Sequence, residues 1–196
     1  MTTDAASDAA DADRPGREGP AARTARLAIE PLRVSHAALL FPMLADPGLY
    51  TYAPDTRRAT VDALVERFAA LERGAPEGEG EDEIWLNWWL QRLDTGEPIG
   101  TLQATVVPGT HAWIGYSLVP AAWGHGFASE AVAWLLAELP RRHRLAECRA
   151  SVDVRNRRSI ALLERLGFER IGTAPAELDG EATVDHLYRR ACDAAA

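Results

Sequence analysis

The 196-residue chain contains no lysine; all 21 of its basic residues are arginine. Against 29 acidic residues this leaves a formal charge of −8 at pH 7. A general nucleic-acid or anionic-membrane binder needs a basic footprint, and this balance argues against both. Cysteine is nearly absent as well. Cys148 falls in a strand-like run and Cys192 near the C-terminus, a pair that suggests neither a disulfide framework nor a metal knuckle. No apolar run approaches the ~18 residues of a transmembrane helix. Nor does the N-terminus join a basic segment to an apolar stretch, so the expected setting is soluble, reducing and cytoplasmic. At about 100–200 residues per domain, the length predicts one globular domain. Such a domain buries roughly two-thirds of its unfolded surface and needs no metal to hold it together.

Residues 1–23, rich in Ala, Asp, Gly, Pro and Arg, read as a disordered tail, because they bury too little to offset their ordering entropy. A single domain is expected over 24–191, with 192–196 as a C-terminal tail. Order begins near Arg26 with the strand-like RLAIEPL. Ser35 then offers a cap for a helix bearing Leu39, Leu40, Met43 and Leu44, kinked or split at Pro42. A second helix, capped by Thr60, carries the stripe Val61, Leu64, Val65, Phe68 and Leu71 and stops at Gly74. A flexible acidic loop, EGEGEDE, ends at Glu83.

Alternation follows over Ile84–Leu90, with Leu86, Trp88 and Leu90 on one face and Trp85, Asn87 and Trp89 on the other. The returning strand Ile99–Val107 and the strand Ala112–Leu118 complete an antiparallel meander. The second half changes pattern. A helix over Glu130–Leu139 is expected to end at Pro140, and Leu145–Val152 alternates again. A helix over Arg157–Leu166 is closed by Gly167, and strands are expected at Phe168–Ile171 and Thr183–Tyr188. The unit 112–152 is long enough for a parallel crossover, so the sheet reads as mixed.

The sharpest feature is IGYSLVPAAWGHGFASEAV, residues 114–132. A strand ends at Leu118, a loop bears Trp123, Gly124, His125 and Gly126, and a helix starts near Phe127. Glycines admit close backbone approach, and the free N–H groups of a helix start favour an anion such as a pyrophosphate. A dinucleotide fingerprint would need a third glycine where Ser129 stands and a strand running directly into the turn. The plainest alternative is glycines serving only a tight turn.

The segment resembles motif A of the GNAT acetyltransferase superfamily, Q/R-x-x-G-x-G/A, through Trp123-Gly124-His125-Gly126-Phe127-Ala128. Trp at the first position is similar to the Rim-type branch, which acetylates protein N-termini. VDVRNRRSIALLERLGF, residues 152–168, resembles the family's N-x-x-S…L-x-x-x-G-F segment through Asn156, Ser159, Leu162, Leu166, Gly167 and Phe168. DGEATVDHLY resembles the closing strand of the same branch. The resemblance implies an α+β fold: a mixed, mostly antiparallel twisted sheet with a central splayed parallel pair and helices on both faces.

It implies acetyl-CoA as acyl donor and an amine acceptor, a protein N-terminus or a small molecule, with no metal, nucleic acid or membrane; a homodimer is left open. Backbone at Ser117 and Leu118 would meet the pantetheine arm, and N–H groups over Trp123, Gly124, His125, Gly126, Phe127 and Ala128 the pyrophosphate. Asn156 and Ser159 would face the pantetheine and the thioester. Asn156 also suits a helix N-cap, and Ser159 could simply bond within its helix. Ser159 is the candidate to hydrogen-bond the leaving sulfur. Relatives often carry Glu where Trp113 stands, so no base carries over; His111, Asp153 and His186 are weak substitutes. Without a base, an α-amine near pKa 7.8 is favoured over a lysine near 10.4. Trp85 and Trp89 could wall an acceptor site, and the acidic loop could steer a cationic amine. Arg141, Arg142 and Arg144 read as surface. A non-catalytic acyl-CoA sensor of the same fold is the alternative function.

Overall fold

A computed structural model describes residues 19–74 and 83–192. Eight strands form one sheet: β1 (Ala22–Arg23), β2 (Leu27–Pro31), β3 (Ile84–Arg92), β4 (Pro98–Val107), β5 (His111–Leu118), β6 (Glu147–Asp153), β7 (Glu169–Leu178) and β8 (Glu181–Ala191). Four helices accompany them: α1 (Ala37–Leu44), α2 (Val61–Arg73), α3 (Phe127–His143) and α4 (Arg157–Arg165). The spatial order is β1-β2-β3-β4-β5-β6-β8-β7. Every pairing is antiparallel except β5 with β6, which α3 connects. The expected mixed sheet with a central parallel pair is therefore present.

The pleat sorts the core into two layers, as the alternation in β3 requires. Leu86, Trp88 and Leu90 join Leu135 and Leu139 of α3 and Leu162 and Leu163 of α4 in the larger cluster. Trp89 turns the other way and packs with Leu40 of α1 and Leu64 and Phe68 of α2. Trp88 meets Trp134 edge-on with ring centroids 5.5 Å apart. Thr60 caps α2 through Ala63 N–H, and Asn156 caps α4 through Ser159 N–H.

Several expectations need correction. Residues 19–23, placed in the tail, are ordered: the Trp88 indole donates to the Pro20 carbonyl at 3.0 Å, and β1 pairs with β2. Ser35 is no helix cap; it lies in a 3-10 turn, and Val34 N–H is met from α2 by the Glu72 carboxylate at 2.7 Å. Pro42 neither splits nor ends α1. Pro140 does not end α3, whose last turn is held from outside by Gly109 N–H donating to the His143 carbonyl at 2.9 Å. The closing strands are much longer than expected, joined at Asp179-Gly180, where both residues have positive φ. Such a turn suits a right-twisted hairpin. Most of β7 is exposed, so it lacks the buried-face pattern that reveals a strand. The acidic loop lies outside the described residues, apart from Glu83.

Candidate active site

β5 and β6 stay paired only from His111–Glu147 to Trp113–Arg149, although β5 runs on to Leu118 and β6 to Asp153. Beyond that point the strands splay. The Val119 N–H bond to the Ile99 carbonyl sets the phase of β5 against β4. Ser117, opposite Thr101, therefore turns its backbone toward β4, while Tyr116 and Leu118 turn theirs into the gap. Ser117 is thus one residue out of phase with the expected backbone contact. Its hydroxyl instead donates to the Leu49 carbonyl at 2.8 Å and pins the 3-10 segment Pro47–Tyr50 over the cleft. The Leu118 carbonyl accepts from the Trp123 indole at 2.6 Å, which folds the glycine loop back onto the strand end.

That loop reaches α3 through two left-handed residues, Gly124 at φ +78° and Gly126 at φ +80°. Side chains rarely adopt this region, and the glycines are there for it. Gly126 is the N-cap of α3 and no side chain caps the helix, so its first N–H groups face outward with the dipole behind them. Arg26 braces the loop. It donates to the His125 carbonyl at 2.8 Å, pairs with Glu130 at 2.7 Å and lies over the Phe127 ring. The His125 side chain does not line the cleft, whereas Trp123, Gly124, Gly126, Phe127 and Ala128 do.

The resulting first cleft, about 610 Å³, is walled across from the loop by Arg157, Arg158 and Arg165 of α4. Arg158 lies 4.7 Å from the Trp123 ring centroid. Sequence reasoning overlooked this cluster; its signal was the Arg-Arg pair directly after the capping Asn156. Arg141 and Arg142 pair with Glu138 on the surface, as expected.

A second cleft, about 420 Å³, opens on the opposite side of the splay, between α2, the chain preceding it, and strands β3–β6. Tyr116, Ser117, Asn156 and Ser159 line both clefts, together with Leu49, Tyr52 and Ala53. This is where a group bound on one side would meet a group bound on the other. Asn156 Oδ1 is occupied by its capping bond to Ser159 N–H at 3.1 Å, the helix-cap role that its type and place suggest. The Tyr116 hydroxyl is buried with no hydrogen-bond partner among the described residues. Burial pushes its pKa up to about 12, offset slightly by the Ser159 side chain beside it, so near neutral pH it carries its proton.

Trp85 and Trp89, expected to wall the acceptor side, line neither cleft. Trp89 is buried behind α1 and α2 beside His36, and the Trp85 indole donates to Glu83 at 3.3 Å. The sheet face they share was read correctly, but helices cover it. Among the weak bases, His111 stands at the closed, paired end of β5, and His186 lies beside Arg170 on the β7–β8 hairpin. Only Asp153 reaches the second cleft, and it is a poor base. Arg155 grips its carboxylate through Nε at 2.9 Å and Nη2 at 2.6 Å, Thr183 adds a bond, and the Arg155 hydrogen bonds lead in pulling its pKa down to about 2. Among the described residues, no group of three or more His, Cys, Asp or Glu side chains could hold a metal ion.

Comparison with known proteins fits this geometry. A Bacillus subtilis (strain 168) protein named uncharacterized N-acetyltransferase YoaA is 26% identical over 158 residues, covering 78% of this chain and 85% of its own. The crystal structure of ribosomal-protein-S5-alanine acetyltransferase from Vibrio fischeri superposes with a TM-score of 0.74 at 19% identity, over 89% of this chain and 98% of that one. RimL, the ribosomal L7/L12 alpha-N-protein acetyltransferase solved with coenzyme A, superposes at 0.75 and 19% identity, over 88% and 97%. These two likenesses concern the fold. Residues 26–169 match the family described as the acetyltransferase (GNAT) domain, and with most of its length inside that match the chain belongs to the GNAT acetyltransferases.

Proposed function

We propose that the chain moves an acetyl group from acetyl-CoA directly to a primary amine, a protein N-terminus or a small molecule. The observation that carries this reading is the splay of β5 from β6, ending on an uncapped helix start reached through Gly124 and Gly126. The splayed edge at Tyr116 and Leu118 offers an extended amide chain the strand-like partner it needs. The α3 N–H groups would hold a pyrophosphate, and Arg157, Arg158 and Arg165 supply positive charge beside it. The thioester would then lie where the two clefts share Tyr116, Asn156 and Ser159.

In the step itself the amine nitrogen bonds to the thioester carbonyl carbon and the carbon–sulfur bond breaks. The amine gives up a proton, and the CoA thiolate gains one. Charge develops first on the carbonyl oxygen and then on sulfur, and the protonated hydroxyls of Tyr116 and Ser159 are the donors placed to meet it. A thiol near pKa 8.5 leaves without strong acid catalysis. No described cleft residue serves well as base, which favours an amine that is partly neutral on its own, such as an α-amine near pKa 7.8.

Thermal melting with acetyl-CoA, with NADH as control, tests the reading. A ligand at about 100 times its Kd adds about 2.7 kcal/mol. For a chain of this size that is an increase of roughly 5–11 °C. A shift with acetyl-CoA alone, followed by amine-dependent thiol release, is the expected outcome. No shift overturns the proposed donor. A shift with no release across a broad amine panel leaves an acyl-CoA-binding module in place of an enzyme.

A further inference from the structure

The acceptor-side cleft contradicts the charge of the molecule around it. The chain carries −8, yet this cleft is lined by Arg57, Arg58 and Arg67 against one carboxylate, Asp153, which Arg155 already holds. Arg57 is likewise engaged by Asp55. Arg58 and Arg67 remain, both half-buried, and neither has a carboxylate partner among the described residues.

Arg67 is the more unusual of the two. It follows Leu64 by three residues and precedes Phe68 and Leu71, so it sits on the inward stripe of α2, and all four residues line the cleft. An arginine there can pack its stem along apolar neighbours and carry its head to water. Here the head stays partly out of water: burial pulls its pKa down, Arg58 adds repulsion, and only the Tyr50 phenol acts in its favour. A half-buried guanidinium with no counter-ion among the described residues, facing a cleft, is poised for an anion from outside.

We propose that the acceptor carries, apart from its reactive amine, a carboxylate or phosphate group that Arg67 receives, with Arg58 beside it. The proposal rests on the reading of this cleft as the acceptor side. It excludes the polyamine-like acceptors that an acidic molecule would otherwise attract.

Calorimetric titration of the full chain, saturated with CoA, tests this with matched probes: β-alanine against β-alaninamide, and O-phosphoethanolamine against ethanolamine. The wild-type protein is expected to bind at least one probe that bears the anionic group roughly 10–100-fold tighter than its counterpart without it, the range of a charge-assisted bond. Whichever pair shows the gap identifies the anion. Arg67→Gln should erase that gap chiefly by weakening the probe that bears the anion, and Arg67→Lys should keep part of it. Should Arg67→Gln fail to melt cooperatively, Arg58→Gln is expected to narrow the same gap several-fold. Equal binding within both pairs, no measurable binding of either anionic probe, or a preference that survives Arg67→Gln overturns the proposal. Acetyl-CoA melting shifts on the same samples separate it from the transfer reading: a missing shift with the anion preference intact sinks the donor alone.

Discussion

The two clefts that meet at Tyr116 and Ser159 are built by different means. The donor side is made largely of backbone: a strand edge released at Trp113, two left-handed glycines and the open end of α3. Most of it lies in the continuous stretch Tyr116–Ser129, joined by α4 and by residues of the segment Gly48–Ala53. The acceptor side is made of side chains brought from α2, the segment before it, β3, β4, β5 and β6. Backbone sites are general and leave a compact mark, because only certain residues permit the conformation. Side-chain sites are specific and leave a scattered one. The difference suits a transferase: the donor is common to a family, while the acceptor distinguishes its members.

Breaking the backbone side should have the largest effect. Gly126→Val forces a β-branched residue to φ +80°, a genuine outlier that costs about 1–2 kcal/mol if kept. The space itself is not prohibitive, since an added Cβ would meet only Arg26 Nη2 at 3.4 Å. The loop is therefore expected to rotate, scatter the N–H array and weaken acetyl-CoA binding roughly 100-fold, while melting without ligand falls only a few degrees. Unchanged acetyl-CoA affinity would show that the loop geometry is incidental.

Tyr116→Phe acts at the junction and sharpens the comparison. The hydroxyl is buried with no well-formed hydrogen bond among the described residues, so for stability alone its removal should be near neutral. A role in transfer shows instead in activity: kcat lower by roughly 10–100-fold, with KM for acetyl-CoA little changed. Equal kcat with little change in melting temperature would reduce Tyr116 to a packing residue.

The same contrast decides what could be read from the residues alone. The glycine loop, the Thr60 and Asn156 caps and the meander depend on neighbours in sequence, and they stand where expected. The β3 alternation correctly separated Trp88 from Trp89, but it could not tell which sheet face α1 and α2 would cover, so Trp89 is core and not cleft. Ser117 was placed within one residue, yet strand phase depends on the register with β4, which no local pattern carries. Ser35 and Pro140 mark the reach of local rules: Ser35 falls inside a 3-10 turn, and α3 runs on past Pro140 to His143, whose carbonyl accepts from Gly109 N–H. Arg67 stands between Leu64 and Phe68 of α2 with no local mark of its own. Only the folded cleft shows what it faces.

The smallest expected effect concerns Asp153, the one acidic group among the described residues that line the proposed acceptor cleft. If Asp153 is committed to Arg155 and Thr183, it shapes the wall and takes no part in proton transfer. Its pKa, depressed to about 2 from 3.8, then contributes stability that is fully present above about pH 4 and lost as pH falls toward 2. Asp153→Asn should therefore lower stability near neutral pH by about 1 kcal/mol, roughly 2–4 °C, a modest figure because the Arg155 partner is half exposed to screening water. The two melting curves should converge as the pH drops from about 4 to 2. Transfer to an α-amine should stay within about threefold of wild type, since the carboxylate gives up no proton site that titrates near neutrality. A loss of 100-fold with melting unchanged would instead place a working carboxylate on the acceptor side, and it would set Asp153 against Arg67 as the charge that selects the substrate.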